Sequence, residues 1–440
     1  MPDIPAPGLQ RFRRLSKEGA WIVLGQATAI VGALASVRLL TELLDPAAYG
    51  ELALGLTLAS LVNQTVLGPL ANGITRFYAP AQERGDLASY LSAVRGLVLA
   101  ATAVIAIMIL LAGAALLLAG QMQWIAIASA ALIFAGLSGY NAILSGIQNA
   151  ARQRAIVALH QGIESWARFL LAAALLLWLG ATSAVAMAGF ALGVTLVLGS
   201  QYMFFRKIIH GDGVVADRSA WQQQIWKYSW PISIFGIFTW MQLASDRWAL
   251  GLFATTQEVG LYAALFQLGY QPMSIAAGMV MQFLLPIFYQ RAGDASDDRR
   301  NAGVNVLSWR LTGIALGLTG AVFFAALLFH AQIFRIFVAA EYASVSHLLP
   351  WMLLAGGVFA AGQTLALNLM SQMKTQIMIA PKLMTALLGV ALNFAGAYWY
   401  GINGIVIAGL LFSLSYLVWM AALAKHEEPG FLFHQGKNAS

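Results

Sequence analysis

Adjacent Asp246 and Arg247 interrupt the stretch LASDRWALGLFATTQEVGLYAAL, from Leu243 to Leu265, which is otherwise almost wholly apolar. Two kinds of chemistry are open to such a pair. A carboxylate in apolar surroundings can exchange a proton or hold a cation, and a guanidinium can grip phosphate oxygens through two parallel hydrogen bonds while staying charged. Near the middle of a bilayer each such charge costs about 2.5–3.5 kcal/mol on insertion scales, so a partner or a ligand must offset it. A second set, His160, Glu164 and Arg168, recurs at four-residue steps, which puts all three on one helix face with Glu164 placed to pair with Arg168. That stripe either locks two helices as a self-satisfied ion pair or takes part in coupling through Glu164. The chain has no cysteine, which excludes disulfides and thiolate metal sites. It has no G-x-x-x-x-G-K-[ST] loop to cradle a nucleotide, so no cofactor or metal is expected, and a proton or cation gradient acting on Glu164 or Asp246 is the expected energy source.

The elements that must position these residues follow from composition. The 440 residues are 60% hydrophobic and 10% charged, with mean hydropathy +0.74, against roughly 25% charged residues in a soluble domain. The chain is expected to be an all-α polytopic membrane protein. Apolar runs near the roughly 20 residues needed to span a bilayer start close to Gly19, Tyr49, Leu91, Met122, Ala155, Ser183, Trp226, Val259, Val304, Leu348, Ile377 and Gly401, about twelve in all. Lys and Arg fall in alternate gaps, from Arg11, Arg13, Arg14 and Lys17 to Lys425 and Lys437, and the intervening gaps hold only Arg335. This alternation places both termini in the cytoplasm. It also explains the net charge of +7 through topology and contact with anionic lipid headgroups, without nucleic acid.

The chain repeats itself. VRLLTELLDPAAYGELAL at Val37 answers DRWALGLFATTQEVGLYAAL at Asp246, each with an arginine, a short acidic turn and a glycine opening the next helix. WLGATSAVAMAG at Trp178 answers WYGINGIVIAG at Trp399. The recurrence predicts two parallel six-helix lobes around a central cavity: 1–209, a cytoplasmic linker 210–224, and 225–440 with a short cytoplasmic tail. Arg38 and Arg247 hold matching places in the two. Polar side chains scattered through the spans are candidates to line the cavity: Asn63, Gln64, Asn72, Asn141, Gln242, Gln267, Tyr270 and Gln271, with Gln363, Asn368 and Asn393 beside them. Taken singly, each also fits an ordinary interhelical hydrogen bond. The pairs Gly189 with Gly193 and Gly313 with Gly317 are read as close helix packing.

LDPAAYGELAL, ASDRWALGLFATTQEVGLYAAL, FRIFVAAEYASVSHLLPWMLL and LNFAGAYWYGINGIVIAGLLFSLSYLVW resemble the polysaccharide-transporter branch of the multidrug/oligosaccharidyl-lipid/polysaccharide exporter superfamily, whose O-antigen-type flippases are most similar. The resemblance implies a non-enzymatic flippase of the bacterial inner membrane. Such a protein turns undecaprenyl-pyrophosphate-linked oligosaccharide across by alternating access, for O-antigen, capsule or exopolysaccharide synthesis, with a polysaccharide polymerase and a chain-length regulator as partners. A cation-coupled multidrug exporter of the same superfamily is the alternative. A membrane glycan polymerase or ligase ranks lower, because the longest outward gap, from about His330 to His347, offers few catalytic groups. On the flippase reading Arg38 and Arg247 converge on the carrier's pyrophosphate; the competing view is that both snorkel to the headgroups.

Overall fold

The computed structural model describes residue 28 and residues 30–208, 217–293, 295–374 and 376–426. The elements are α1 (30–43), α2 (Pro46–Glu83), α3 (Leu87–Leu118), α4 (Gln123–Ala150), α5 (Arg154–Leu179), α6 (Ser183–Ile208), α7 (Arg218–Phe253), α8 (Thr256–Ala292), α9 (Asp298–Phe337) and α10 (Leu349–Ser371). The last helical run, Ile379–His426, is two helices meeting at Gly401, α11 (379–400) and α12 (402–426). No strand occurs among the described residues, and nine of their helical runs, the last run counted once, are long and apolar enough to cross a membrane. The protein is an all-helical, multi-pass membrane protein.

Sequence chemistry sets the boundaries. Asp45 opens α2 by accepting the Ala48 N–H at 2.7 Å, Thr255 opens α8 by accepting that of Glu258 at 3.2 Å, and Asp297 opens α9 by accepting that of Arg299 at 2.8 Å. Each side-chain oxygen satisfies an N–H that a helix start leaves unpaired. The two glycines matched in the repeat, Gly180 and Gly401, take φ of +110° and +54°, where a side chain would be strained. They reverse the chain between α5 and α6 and between α11 and α12. Within α2, residues Asn63–Leu67 form a π-helical turn closed by the Gly68 N–H on the Asn63 carbonyl. Pro69 follows at once, and its missing N–H makes this a weak point in the helical ladder.

The chain groups into two compact units: one runs through Leu44 and over Glu51–Trp240, the other comprises Asp45–Gly50 and everything from Met241. In the first unit the Gly189 and Gly193 contacts are close, as expected. A Cβ on Gly189 would lie 2.3 Å from Ala172 Cα, and one on Gly193 would lie 2.8 Å from Arg168 Cα. The first part of α7 belongs to this unit. Gly73 of α2 lets it approach, since a Cβ there would meet Ser229 Oγ at 2.2 Å, and a Cβ on Gly236 would lie 1.9 Å from the Gln64 carbonyl oxygen. Trp240 donates its indole N–H to the Thr57 carbonyl at 2.7 Å. Of the expected linker, 210–216 lie outside the described residues, and the stretch from Arg218 is already α7.

In the second unit α10 and α12, with Met378 just ahead of α11, form a core that includes Leu365, Leu369, Tyr416 and Met420. Here the Gly313 and Gly317 expectation is overturned: a Cβ on either would meet nothing within 4 Å. Buried Ser308, Thr312 and Thr319 share the face of α9 that packs on α10, and the two glycines lie a quarter turn or more away from it. The tight contact falls on Gly357 of α10, whose Cβ would strike Thr319 Oγ1 at 2.2 Å.

Candidate functional site

The charged residues of α5 separate into two settings. Glu164 accepts a hydrogen bond from Asn141 Nδ2 of α4 at 2.5 Å, and its other oxygen stands 3.7 Å from Arg168 Nη1. The Arg168 guanidinium lies over the rings of Phe134 and Phe190, at 5.2 and 5.5 Å from their centroids, positions in which ring electron density favours a cation. His160 is buried and takes no part in this cluster. Its Nδ1 is 2.8 Å from the Ile156 carbonyl and its Nε2 is 3.2 Å from Ser200 Oγ of α6. The four-residue spacing therefore yields one ion pair and one separate helix-to-helix contact.

Asp246 and Arg247, in the part of α7 that belongs to the second unit, are both largely withdrawn from solvent. The Tyr262 hydroxyl donates to Asp246 Oδ2 at 2.7 Å. Asp246 Oδ1 accepts the Arg247 backbone N–H at 2.7 Å, and Arg247 Nη1 lies 3.4 Å from the same oxygen. Adjacent residues on a helix point about 100° apart and do not face each other, yet these two side chains meet. The long arginine side chain folds back along its own helix, donating to the Leu243 carbonyl at 2.9 Å, and so passes close to the carboxylate. Its guanidinium carbon then rests over the Phe266 ring, 4.3 Å from the centroid. A hydroxyl, a carbonyl, a ring and an opposite charge together offset the burial.

A cavity of about 60 Å³ opens beside this pair, lined among others by Gln242, Asp246, Tyr262, Phe266, Tyr270 and Asn393. It has room for a few ordered waters and presents a carboxylate, amides and phenols to them. Of the residues singled out in the sequence, Gln242, Asp246 and Tyr270 line it. Half-buried Gln267 and Gln271 lie elsewhere on α8. Asn393 donates to Ser245 Oγ at 2.9 Å. Phe266 and Tyr270 stack with centroids 5.2 Å apart, and Tyr262 lies 6.1 Å from Phe266. Tyr262 and Phe266 were not anticipated, yet the signal was present: aromatic residues at 262, 266 and 270 repeat every four positions on one face.

The other expected residues are placed as follows. Arg38 pairs with Glu42 one turn along α1, with both side chains substantially exposed. Asn63 and Gln64 sit in the π turn of α2, with Asn63 donating to the Ala59 carbonyl at 3.2 Å. Asn72 is exposed and Asn141 is buried against Glu164. Gln363 accepts from the Tyr416 hydroxyl at 3.2 Å, and Asn368 donates to Asn305 Oδ1 at 2.9 Å. Gly50 and Gly260, matched in the repeat, touch each other's segments in the second unit. A Cβ on Gly50 would lie 1.9 Å from the Thr256 carbonyl oxygen, and one on Gly260 would lie 1.8 Å from that of Pro46.

This arrangement balances charge within the protein, pairing each arginine with a carboxylate and setting Asp246 beside a cavity. Among known proteins, residues 15–291 match the family described as "Polysaccharide biosynthesis protein". No curated protein sequence matches. Among solved structures, the chain is similar to an inward-closed lipid II flippase MurJ, with 12% identity, TM-score 0.70, and coverage of 93% of this chain and 87% of that one. It is also similar to an inward-facing multidrug resistance MATE transporter of the MOP superfamily, with 14% identity, TM-score 0.65, and coverage of 91% and 94%. A Vibrio cholerae MATE transporter, VcmN, aligns with 14% identity, TM-score 0.55, and coverage of 96% and 98%. At these identities the likeness is one of fold.

Proposed function

Because the chain belongs to the polysaccharide biosynthesis family, we propose that it is a flippase carrying an undecaprenyl-pyrophosphate-linked oligosaccharide across the bacterial inner membrane by alternating access. The product would feed O-antigen, capsule or exopolysaccharide synthesis. The observation that carries this reading is the family match over more than half of the chain, joined to a fold that a lipid II flippase shares. The side chains suit such a cargo. Arg247 is a guanidinium held within an apolar span, of the kind that grips a diphosphate, and Arg38 is its counterpart in the repeat. Asp246, beside the cavity, and Glu164 are the carboxylates through which a proton or cation gradient would act, and no group in this reading makes or breaks a covalent bond. On this reading both termini are cytoplasmic, and a polymerase and a chain-length regulator receive the product.

Complementation of a strain lacking its O-antigen or capsule flippase tests the proposal. The wild-type gene should restore surface polysaccharide without raising drug resistance. Arg38→Lys and Arg247→Lys should each restore less at equal protein level, because an ammonium keeps the charge and loses the planar fork. Full restoration by both lysine variants would overturn the diphosphate role, and drug resistance without polysaccharide would favour the exporter.

A further inference from the structure

We propose that the first half of α7 carries a binding site for an anionic phospholipid with a hydroxyl-bearing headgroup, of which phosphatidylglycerol is the type. Gln223, Trp226, Lys227 and Trp230 line a surface groove of about 430 Å³. Trp226 and Trp230 are 60% and 47% exposed, one turn apart on the same side of the helix. Ile234, Ile237 and Phe238 continue that exposed stripe, while Trp221, Ile225, Ser229 and Gly236 turn the opposite face into the first unit. Along one stripe the amide, the ammonium and the two indoles therefore come together at one end, and aliphatic and phenyl side chains follow. A phospholipid has the same order: charged headgroup, glycerol and ester level, acyl chain.

Two features make this more than a general lipid-facing surface. From Arg218 to Ser245 the helix holds Arg218 and Lys227 and no acidic residue, so nothing on α7 near the groove offsets the ammonium. Arg218 itself lies against α3, its guanidinium carbon 3.8 Å from where a Cβ on Gly96 would stand, which leaves Lys227 as the groove's cation. Pro231 lies inside the helix and has no N–H to donate to the carbonyl of Lys227, four residues before it. That carbonyl lacks its usual helical donor and can accept from a headgroup hydroxyl. Ammonium and acceptor together select a headgroup bearing both a phosphate and hydroxyls.

The test is native mass spectrometry of the full chain, delipidated in mild detergent and offered equal amounts of phosphatidylglycerol, phosphatidylethanolamine and undecaprenyl phosphate. Wild type should retain one phosphatidylglycerol in preference to the others. Lys227→Gln should weaken that retention about fivefold, the value of one interfacial cation. The pair Trp226→Ala with Trp230→Ala should weaken it at least as much, and Lys425→Gln, an exposed cation elsewhere, should leave it unchanged. Equal retention of phosphatidylethanolamine by wild type, or wild-type retention by Lys227→Gln or by the paired tryptophan variant, would overturn the site. Preferential retention of undecaprenyl phosphate would overturn it in favour of the carrier lipid.

Discussion

Asp246 and Glu164 are both carboxylates beside an arginine inside apolar helices, yet their surroundings give them different consequences on removal. Asp246 is 6% exposed and holds both the Tyr262 hydroxyl and Arg247. Asp246→Ala leaves a buried guanidinium without its counter-charge and a buried phenol without its acceptor, and a cost of about 3 kcal/mol follows. Asp246→Asn keeps an acceptor for Tyr262 and should cost less. Arg168, in contrast, keeps about a third of its side chain exposed and stands 3.7 Å from Glu164, so Glu164→Gln should cost only about 1 kcal/mol after screening. Thermal stability in detergent, read by fluorescence-detected size exclusion, checks both. A large loss for Glu164→Gln with recovery in Glu164→Gln/Arg168→Met would show instead that the α5 pair is locked as tightly as a buried one.

At the scale of the element, the same small-residue spacing has opposite meanings on α6 and α9. Gly189→Ala and Gly193→Ala drive a methyl into the backbone of α5 and should destabilise the first unit by about 1–3 kcal/mol. Gly313→Ala and Gly317→Ala place it in open space and should be neutral or mildly stabilising; a loss for α9 equal to that for α6 would contradict the assignment. The sequence could not separate these cases, because four-residue spacing of glycines says that a helix can be approached closely and not whether a neighbour does so. It did make legible whatever depends on local chemistry: most helix starts to within a few residues, the matching segments that hold Gly180 and Gly401, and the Glu164–Arg168 pair. It missed the early start of α7, where Gln222, Gln223 and Gln224 read as loop. That start is held from outside the element, by Trp221 donating its indole N–H to Asp86 at 2.7 Å in the turn before α3. Hydrogen bonds from Ser89 and then from Trp221 keep the Asp86 carboxyl below its ordinary range. A lowered carboxylate contributes above its unfolded value and is lost only as pH falls through the depressed one. Amide exchange over 218–225, corrected for intrinsic rate, should therefore be the same at pH 7 and pH 5 in wild type and faster at both in Asp86→Ala. Opening of wild type between those values would contradict the tether.

For the whole molecule, orientation is the property on which the proposed direction of transport depends, and it rests on how basic residues are distributed over the connections. The α4–α5 turn carries Arg152, and Arg154 opens α5 beside it, whereas the α5–α6 turn around Ala181 and the α7–α8 turn around Thr256 carry no Lys or Arg. Arginine and lysine are retained on the cytoplasmic side during insertion, so the first turn should be inside and the other two outside. The chain lacks cysteine, and single cysteines can report this without background. An impermeant maleimide applied to spheroplasts should label Ala181→Cys and Gln257→Cys at once, and Arg154→Cys only after the membrane is opened; all three positions are exposed. The reverse pattern would invert the protein and with it the proposed direction of transport. Labelling of Ala181→Cys and Arg154→Cys from the same side would show that α5 does not cross the membrane, an outcome that its 26 residues make costly, since they exceed the roughly 20 needed to span the apolar core.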